Sequence, residues 1–469
     1  MTTPLPPDNS NSTQISAETV QALRDFVRAA VPRLTDELKD QTPEWDVESR
    51  WECGTDGNFR ELTKRTRKLP VLNEQWFNSI AEYDTCIEKL KSDPVIGTHV
   101  DRLVGTNRSS FRFEPNRVLL SLFYAMFNDE GALAFTDERF DYGLRDWVDF
   151  IGADRVASKM VAPLPGLVLP TFPLRLNDEL VLDRLTDDEV TNCCQVGILQ
   201  PTVPQFPLIQ RDVAVGIRRT MFSPKVVQSG EEAEQASEVE EVDTFGCRPH
   251  LRDDLAIDDV LTAFRLFKNT RISTAGFASW VGSGVSQGGI SYRVLRQWPY
   301  FGKFELSEEE VPQFLELWHL LEKWSSLFSF SIHRFNLSFE PRIIADRIVD
   351  LIIAAESLFL NDVDEQYRGE LSFRCALRAA KFIEHPDYNK RELFKVMRRA
   401  YKGRSAIVHG GSLKDSKLPD NQSANTTTFI DAIEEIMRLG LNKALSMKND
   451  GKHLREAEYW EDLLFSTPL

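Results

Sequence analysis

From residue 346 the chain runs Asp346-Arg-Ile-Val-Asp-Leu-Ile-Ile-Ala-Ala-Glu-Ser-Leu-Phe, and its architecture follows from this stretch. Apolar residues on nearly every side predict a buried helix, opened by Pro341 and running to about Leu360. Glu356 is the carboxylate in its apolar middle, and a buried charge needs a partner. Asp346, Arg347, Asp350 and Glu356 also exclude a bilayer span, which needs about 20 nearly uncharged residues.

Downstream, a helix is predicted over about Glu370–Glu384. Arg374, Arg378 and Lys381 recur there at i, i+4 and i+7 as a basic stripe, opposite Cys375, Ala376, Ala379, Phe382 and Ile383. A break at His385-Pro-Asp387 precedes a helix over about Lys390–Tyr401. Its inward residues are Leu393, Val396, Met397, Ala400 and Tyr401; Arg391, Lys395, Arg398, Arg399 and Lys402 face out. Upstream, Ser307 and Glu310 form a capping box before a stripe of Phe314, Leu317, Trp318, Leu321 and Phe328. The last third is therefore read as all-α.

The first two-thirds mix patterns. Ser16 caps a helix to about Leu38 with Val20, Leu23, Phe26, Val27, Val31 and Leu34 on one face. Residues 42–69 are polar and irregular. A helix covers about Asn116–Phe127 behind Pro115. Seven prolines between Val161 and Leu208 predict short strands and loops. Residues 257–268 are again helical, and 273–292 suggest a hairpin or two short strands. The fold class expected is α+β: a mixed α/β N-terminal region followed by an all-α helical bundle. The expected organisation is a disordered leader (1–15), an α+β domain (16–305, with one or two subdomains) and a bundle (306–460). Residues 230–243 carry six Glu and one Asp and are read as a solvated acidic loop.

The 469 residues carry 56 basic and 72 acidic side chains, a formal charge of −16. Any site for a polyanion must then be a local basic patch. Residues 371–411 supply one, with ten Lys or Arg against three acids, a balance of +7. Solvated helix faces are the plain alternative. Six cysteines in a chain this long make no disulfide scaffold, and the first residues have neither a basic nor an apolar signal region. A cytoplasmic protein is expected.

The basic segment ends in Tyr401-Lys-Gly-Arg-Ser-Ala-Ile-Val-His-Gly-Gly. Arg404 and His409 stand five apart, about 140° around a straight helix, a gap that a long arginine could close around a phosphate. Ser405 and His409 share a face at i, i+4, so the hydroxyl could orient the imidazole. Gly410-Gly411 would stop the helix directly after the histidine. An imidazole can exchange a proton with a ribose 2′-hydroxyl or a leaving 5′-oxygen, and a guanidinium can stabilise charge on the phosphate. That chemistry cuts RNA, because DNA lacks the attacking hydroxyl.

Residues 332–411 resemble a HEPN domain, in particular its Apea-like branch. The matching pieces are Ile332-His-Arg-Phe-Asn, Asp346-Arg-Ile-Val-Asp-Leu-Ile-Ile-Ala-Ala-Glu-Ser-Leu-Phe, Leu371-Ser-Phe-Arg-Cys-Ala-Leu-Arg-Ala-Ala and the closing Tyr401–Gly411 segment. The resemblance implies a bundle that often dimerises, bringing two Arg-x(4–6)-His motifs into one cleft. In many such proteins that cleft is a metal-independent endoribonuclease of toxin or antiphage systems; the family also has inactive members. It implies Arg404, His409 and Ser405 as catalytic residues. It also implies Glu356, Arg374 and Arg378 as supporting ones, with Glu356 either catalytic or bridged to Arg374 or Arg378. Lys395, Arg398, Arg399 and Lys402 would bind RNA. The partners expected are RNA, a second copy of this chain, and a trigger ligand or protein at the N-terminal region. No cofactor, metal or membrane is expected.

An inactive module for RNA or nucleotide binding, or for dimerisation, is the rival reading, and a third lays the 230–243 loop over the basic stripe. Other signals are weaker. Gly282-Ser-Gly-Val-Ser-Gln-Gly-Gly lacks the lysine of a phosphate loop. Cys247 and His250 make at most half a zinc site. Cys193 and Cys194 read as core residues, and His385, before Pro386, as a helix-end residue.

Overall fold

The computed structural model describes residues 15–39, 45–67, 74–106, 109–127, 132–200, 208–228, 249–281, 290–294, 302–339, 344–362, 370–411, 416–417, 423–424, 426–447 and 452–465. The leader up to residue 14, the acidic loop 230–243 and Cys247 lie outside the described residues, as does the glycine-rich turn at 282–289. The fold is α+β, with a mixed N-terminal region and a helical C-terminal part. The chain divides into two compact units.

The first unit holds residues 1–163, 177–252 and 275–295. Its first helix, Ala17–Lys39, is capped as expected: the Ser16 hydroxyl accepts the Thr19 N–H at 3.2 Å. Leu23, Phe26, Val27, Val31 and Leu34 are buried, and Phe26 meets the rings of Phe77, Tyr83 and Phe123 at 5.8–6.2 Å. An antiparallel sheet runs in the order Ser291–Val294, Gly276–Val281, Arg155–Pro163, Val215–Pro224, Leu180–Arg184. The 273–292 hairpin is part of it, with Gly276 opposite Val294.

Two local expectations are corrected. Of residues 42–69, the described 45–67 are a long antiparallel hairpin, Trp45–Cys53 against Phe59–Arg67. Its first strand alternates, Trp45, Val47, Trp51 and Cys53 against Asp46, Glu48, Arg50 and Glu52, but its second has only Phe59 and Leu62 as apolar residues, so the pattern that usually announces a strand is half missing. Its turn rests on Gly57 at φ +80° and on Asp56, which accepts from Asn58 and Arg60. Within the proline-rich span, the proline-free Asp187–Gln195 is helical, opened by a Thr186–Glu189 capping box.

The second unit takes in Leu164–Leu176 and Asp253–Thr274 as well as Arg296–Leu469, so it is discontinuous and larger than the 306–460 span drawn from the sequence. Backbone bonding explains the recruitment. Phe304–Glu305 pairs in parallel with Leu167–Val168, and the last carbonyls of helix Pro249–Phe267 need donors. Arg438 and Asn442 supply them to Leu266 at 3.0 and 2.7 Å.

Helices Val311–Trp324, Ser329–Leu337, Ile344–Phe359, Leu371–Phe382, Lys390–Val408, Thr426–Ser446 and Ala457–Phe465 make up most of this unit. Only half of the Ser307–Glu310 box forms: Glu310 accepts the Ser307 N–H at 2.9 Å, and the helix proper starts at Val311. Leu351, Ile352, Leu358 and Phe359 are buried as their apolar run requires, each worth about 1.5–3 kcal/mol. Phe359 and Phe382 pack on Trp460. No described helix is long and apolar enough to cross a membrane.

Candidate functional site

The helix Lys390–Val408 carries the site. Asn389 starts it: its carboxamide accepts from the N–H groups of Arg391 and Glu392, and Glu392 returns the bond to the Asn389 N–H. Leu393, Val396, Met397 and Ala400 are buried and fix its rotation. The helix extends past the expected end at Tyr401 to Val408. His409 is its C-cap, and Gly410 sits at φ +78°. Gly410 and Gly411 donate to the carbonyls of Ile407 and Ala406, the paired bonds of a Schellman turn, so the glycines stop the helix where expected.

Arg404 and His409 then occupy different environments. Arg404 turns toward the bundle and is 30% exposed, its Nη2 standing 3.8 Å from Glu356 Oε2. Its Nε is buried and has no hydrogen-bond partner among the described residues. Its guanidinium lies 6.0 Å from the Tyr401 ring centroid. Burial, and then the Glu356 carboxylate that its hydroxyl bonds, raises the Tyr401 pKa well above the ordinary phenol value. Cys375 is wholly buried in the same neighbourhood, its thiol held protonated by burial and by Glu356. His409 is exposed. Its backbone N–H bonds the Ser405 carbonyl at 3.2 Å; among the described residues no bond joins the Ser405 hydroxyl to the ring.

The supporting residues are redistributed. Glu356 does not pair with Arg374 or Arg378. Arg378 is buried, donates to the Phe359 carbonyl at 2.8 Å and forks onto Asp362, at 2.9 Å on its longer arm, with Trp460 beneath it at 5.0 Å. The stripe is broken for that reason: Arg374 stays in solvent while Arg378 closes the end of the Glu356 helix. Lys390 is also committed, to the carbonyls of Ile383 and Lys381 at 2.9 and 3.2 Å. Lys395, Arg399 and Lys402 are exposed along the site helix, and Arg398 is half-buried beside Phe373 and Phe394.

Sequence reasoning placed Tyr401 inward without seeing it as the partner of Glu356, and passed over Phe373 and Phe394. Phe373, between Ser372 and Arg374, carries a signal that could have found it; Phe394, beside Leu393 and close to Val396 and Met397, does not. His385 is a turn residue: its Nδ1 accepts the N–H groups of Asp387 and Tyr388, and its ring stacks on Tyr388 at 4.4 Å. Among the described residues no three His, Cys, Asp or Glu gather as a metal site. No family model, curated protein or solved structure matches the chain.

Proposed function

We propose that the protein is an endoribonuclease of the HEPN type, cutting RNA by attack of a ribose 2′-hydroxyl on the adjacent phosphate, with no metal required. The observation that carries this reading is the helix end itself. An exposed imidazole closes a basic helix, and a guanidinium five residues earlier is aimed by a carboxylate. His409 exchanges the proton, and Arg404, positioned by Glu356, steadies charge on the phosphate oxygens. Ser405 is the hydroxyl between them.

The separation of about 140° around the helix favours a site completed by a second copy, whose Arg404 would face this copy's His409. A cytoplasmic toxin or antiphage effector, triggered through the N-terminal region, is the role that fits. The rival is a catalytically silent module for RNA binding or dimerisation, favoured by the Arg404–Glu356 contact read as a purely structural pair.

Incubation of the purified full chain with RNA separates them. The nuclease reading expects fragments ending in cyclic phosphate, lost in His409→Ala and in Arg404→Ala. Intact RNA under every condition, with Arg404→Ala lowering the melting temperature or the dimer fraction instead, supports the silent module.

A further inference from the structure

Phe373 is 40% exposed on helix Leu371–Phe382, an unusual place for a phenyl ring between Ser372 and Arg374. It meets Phe394 of the site helix edge-on at 5.4 Å, and the Arg398 guanidinium lies 5.9 and 5.8 Å from the two ring centroids. This is a cation–aromatic platform. Exposed Arg374, Arg391, Lys395 and Lys402 flank it on the same two helices. At 100° per residue, Phe394, Arg398, Tyr401, Ser405 and His409 fall within about 80° of arc, and Phe394 lies about 22 Å along the axis from His409.

We infer that the Phe373–Phe394–Arg398 platform is a stacking subsite for an unpaired nucleobase, set along the helix from His409. The inference rests on the RNA reading and deepens it. A ring with a free face and a cation beside it takes any base, provided the base is out of a duplex. The surrounding positive charge holds the backbone that carries it, in a chain whose overall charge of −16 would otherwise repel it. At the stacked spacing of about 3.4 Å per nucleotide, the distance to His409 spans about six nucleotides. The platform would fix which phosphate reaches the imidazole.

The test is fluorescence anisotropy of the full chain carrying His409→Ala, so that RNA survives, with a labelled single-stranded octanucleotide, its duplex and an abasic ribose-phosphate octamer. Adding Phe373→Ala should weaken the single strand about tenfold and leave the abasic chain unchanged, while Phe373→Trp keeps the affinity. Phe373→Leu, which keeps an apolar side chain, serves if the alanine variant melts early, and should weaken binding in the same way. Unchanged octamer affinity, or an equal loss on the abasic chain, overturns the inference. So does a shift to smaller species in sedimentation, which would make the platform a contact between copies. Cleavage by the wild-type chain is read separately. Cleavage without stacking removes only this inference, and stacking without cleavage removes only the nuclease reading.

Discussion

Arg404 and Glu356 face each other from two helices at 3.8 Å, a distance at which a guanidinium is aimed but not locked. The Tyr401 hydroxyl shares the same carboxylate, so three side chains from two helices converge below an exposed histidine. A pair this long, with side chains 30% and 24% exposed, contributes about 0–1 kcal/mol to stability. Glu356→Gln should therefore barely move the melting temperature while lowering RNA cleavage about tenfold through the loss of Arg404 orientation. A large drop in melting temperature with unchanged cleavage would make Glu356 purely structural.

The Arg378–Asp362 pair is the opposite case. Its side chains are 9% and 5% exposed, so removing one partner strands a buried charge. Asp362→Ala should cost about 3–5 kcal/mol in denaturant unfolding. A cost below about 1 kcal/mol would show that water reaches the guanidinium.

Gly410 has open space around it, so a methyl group there meets nothing and only the left-handed backbone resists. Gly410→Ala should destabilise by about 1 kcal/mol. It should also lower cleavage more than it lowers stability, because the Schellman turn sets the orientation of His409. Equal melting curves would argue that the turn is not held in solution.

Burial lowers the His385 pKa below the ordinary histidine value. The folded state thus binds its proton less readily than the unfolded chain. This contribution to stability is complete above about pH 6.5 and is lost as pH falls through the unfolded value toward the depressed folded one. His385→Asn keeps an acceptor for the Asp387 and Tyr388 N–H groups and should flatten the fall in melting temperature between about pH 7.5 and 5.5. A variant as acid-sensitive as wild type would assign the effect elsewhere.

The C-terminal helices were legible because their apolar residues repeat at the helical period, and Gly410-Gly411 marks a stop that only glycine makes without strain. Arg378 was not legible as a core residue. It shares a helix face with Arg374, and its partner Asp362 lies on a different element, past the end of the preceding helix. The hairpin at Trp45–Arg67 escaped because only its first strand alternates; the second, with Phe59 and Leu62 as its apolar residues, reads as a polar segment. Phe394 reads as an ordinary residue of an apolar stripe, and only the packing of two helices sets it beside Phe373.

Cleavage of a single-stranded RNA in EDTA decides whether His409 does the chemistry, with wild type set against His409→Ala and an all-ribose substrate against one carrying 2′-deoxyribose at the cut position. Wild type should release fragments ending in 2′,3′-cyclic phosphate from the all-ribose strand alone, and His409→Ala should release none. Equal cutting by the variant, or cutting at the deoxyribose position, would overturn that assignment.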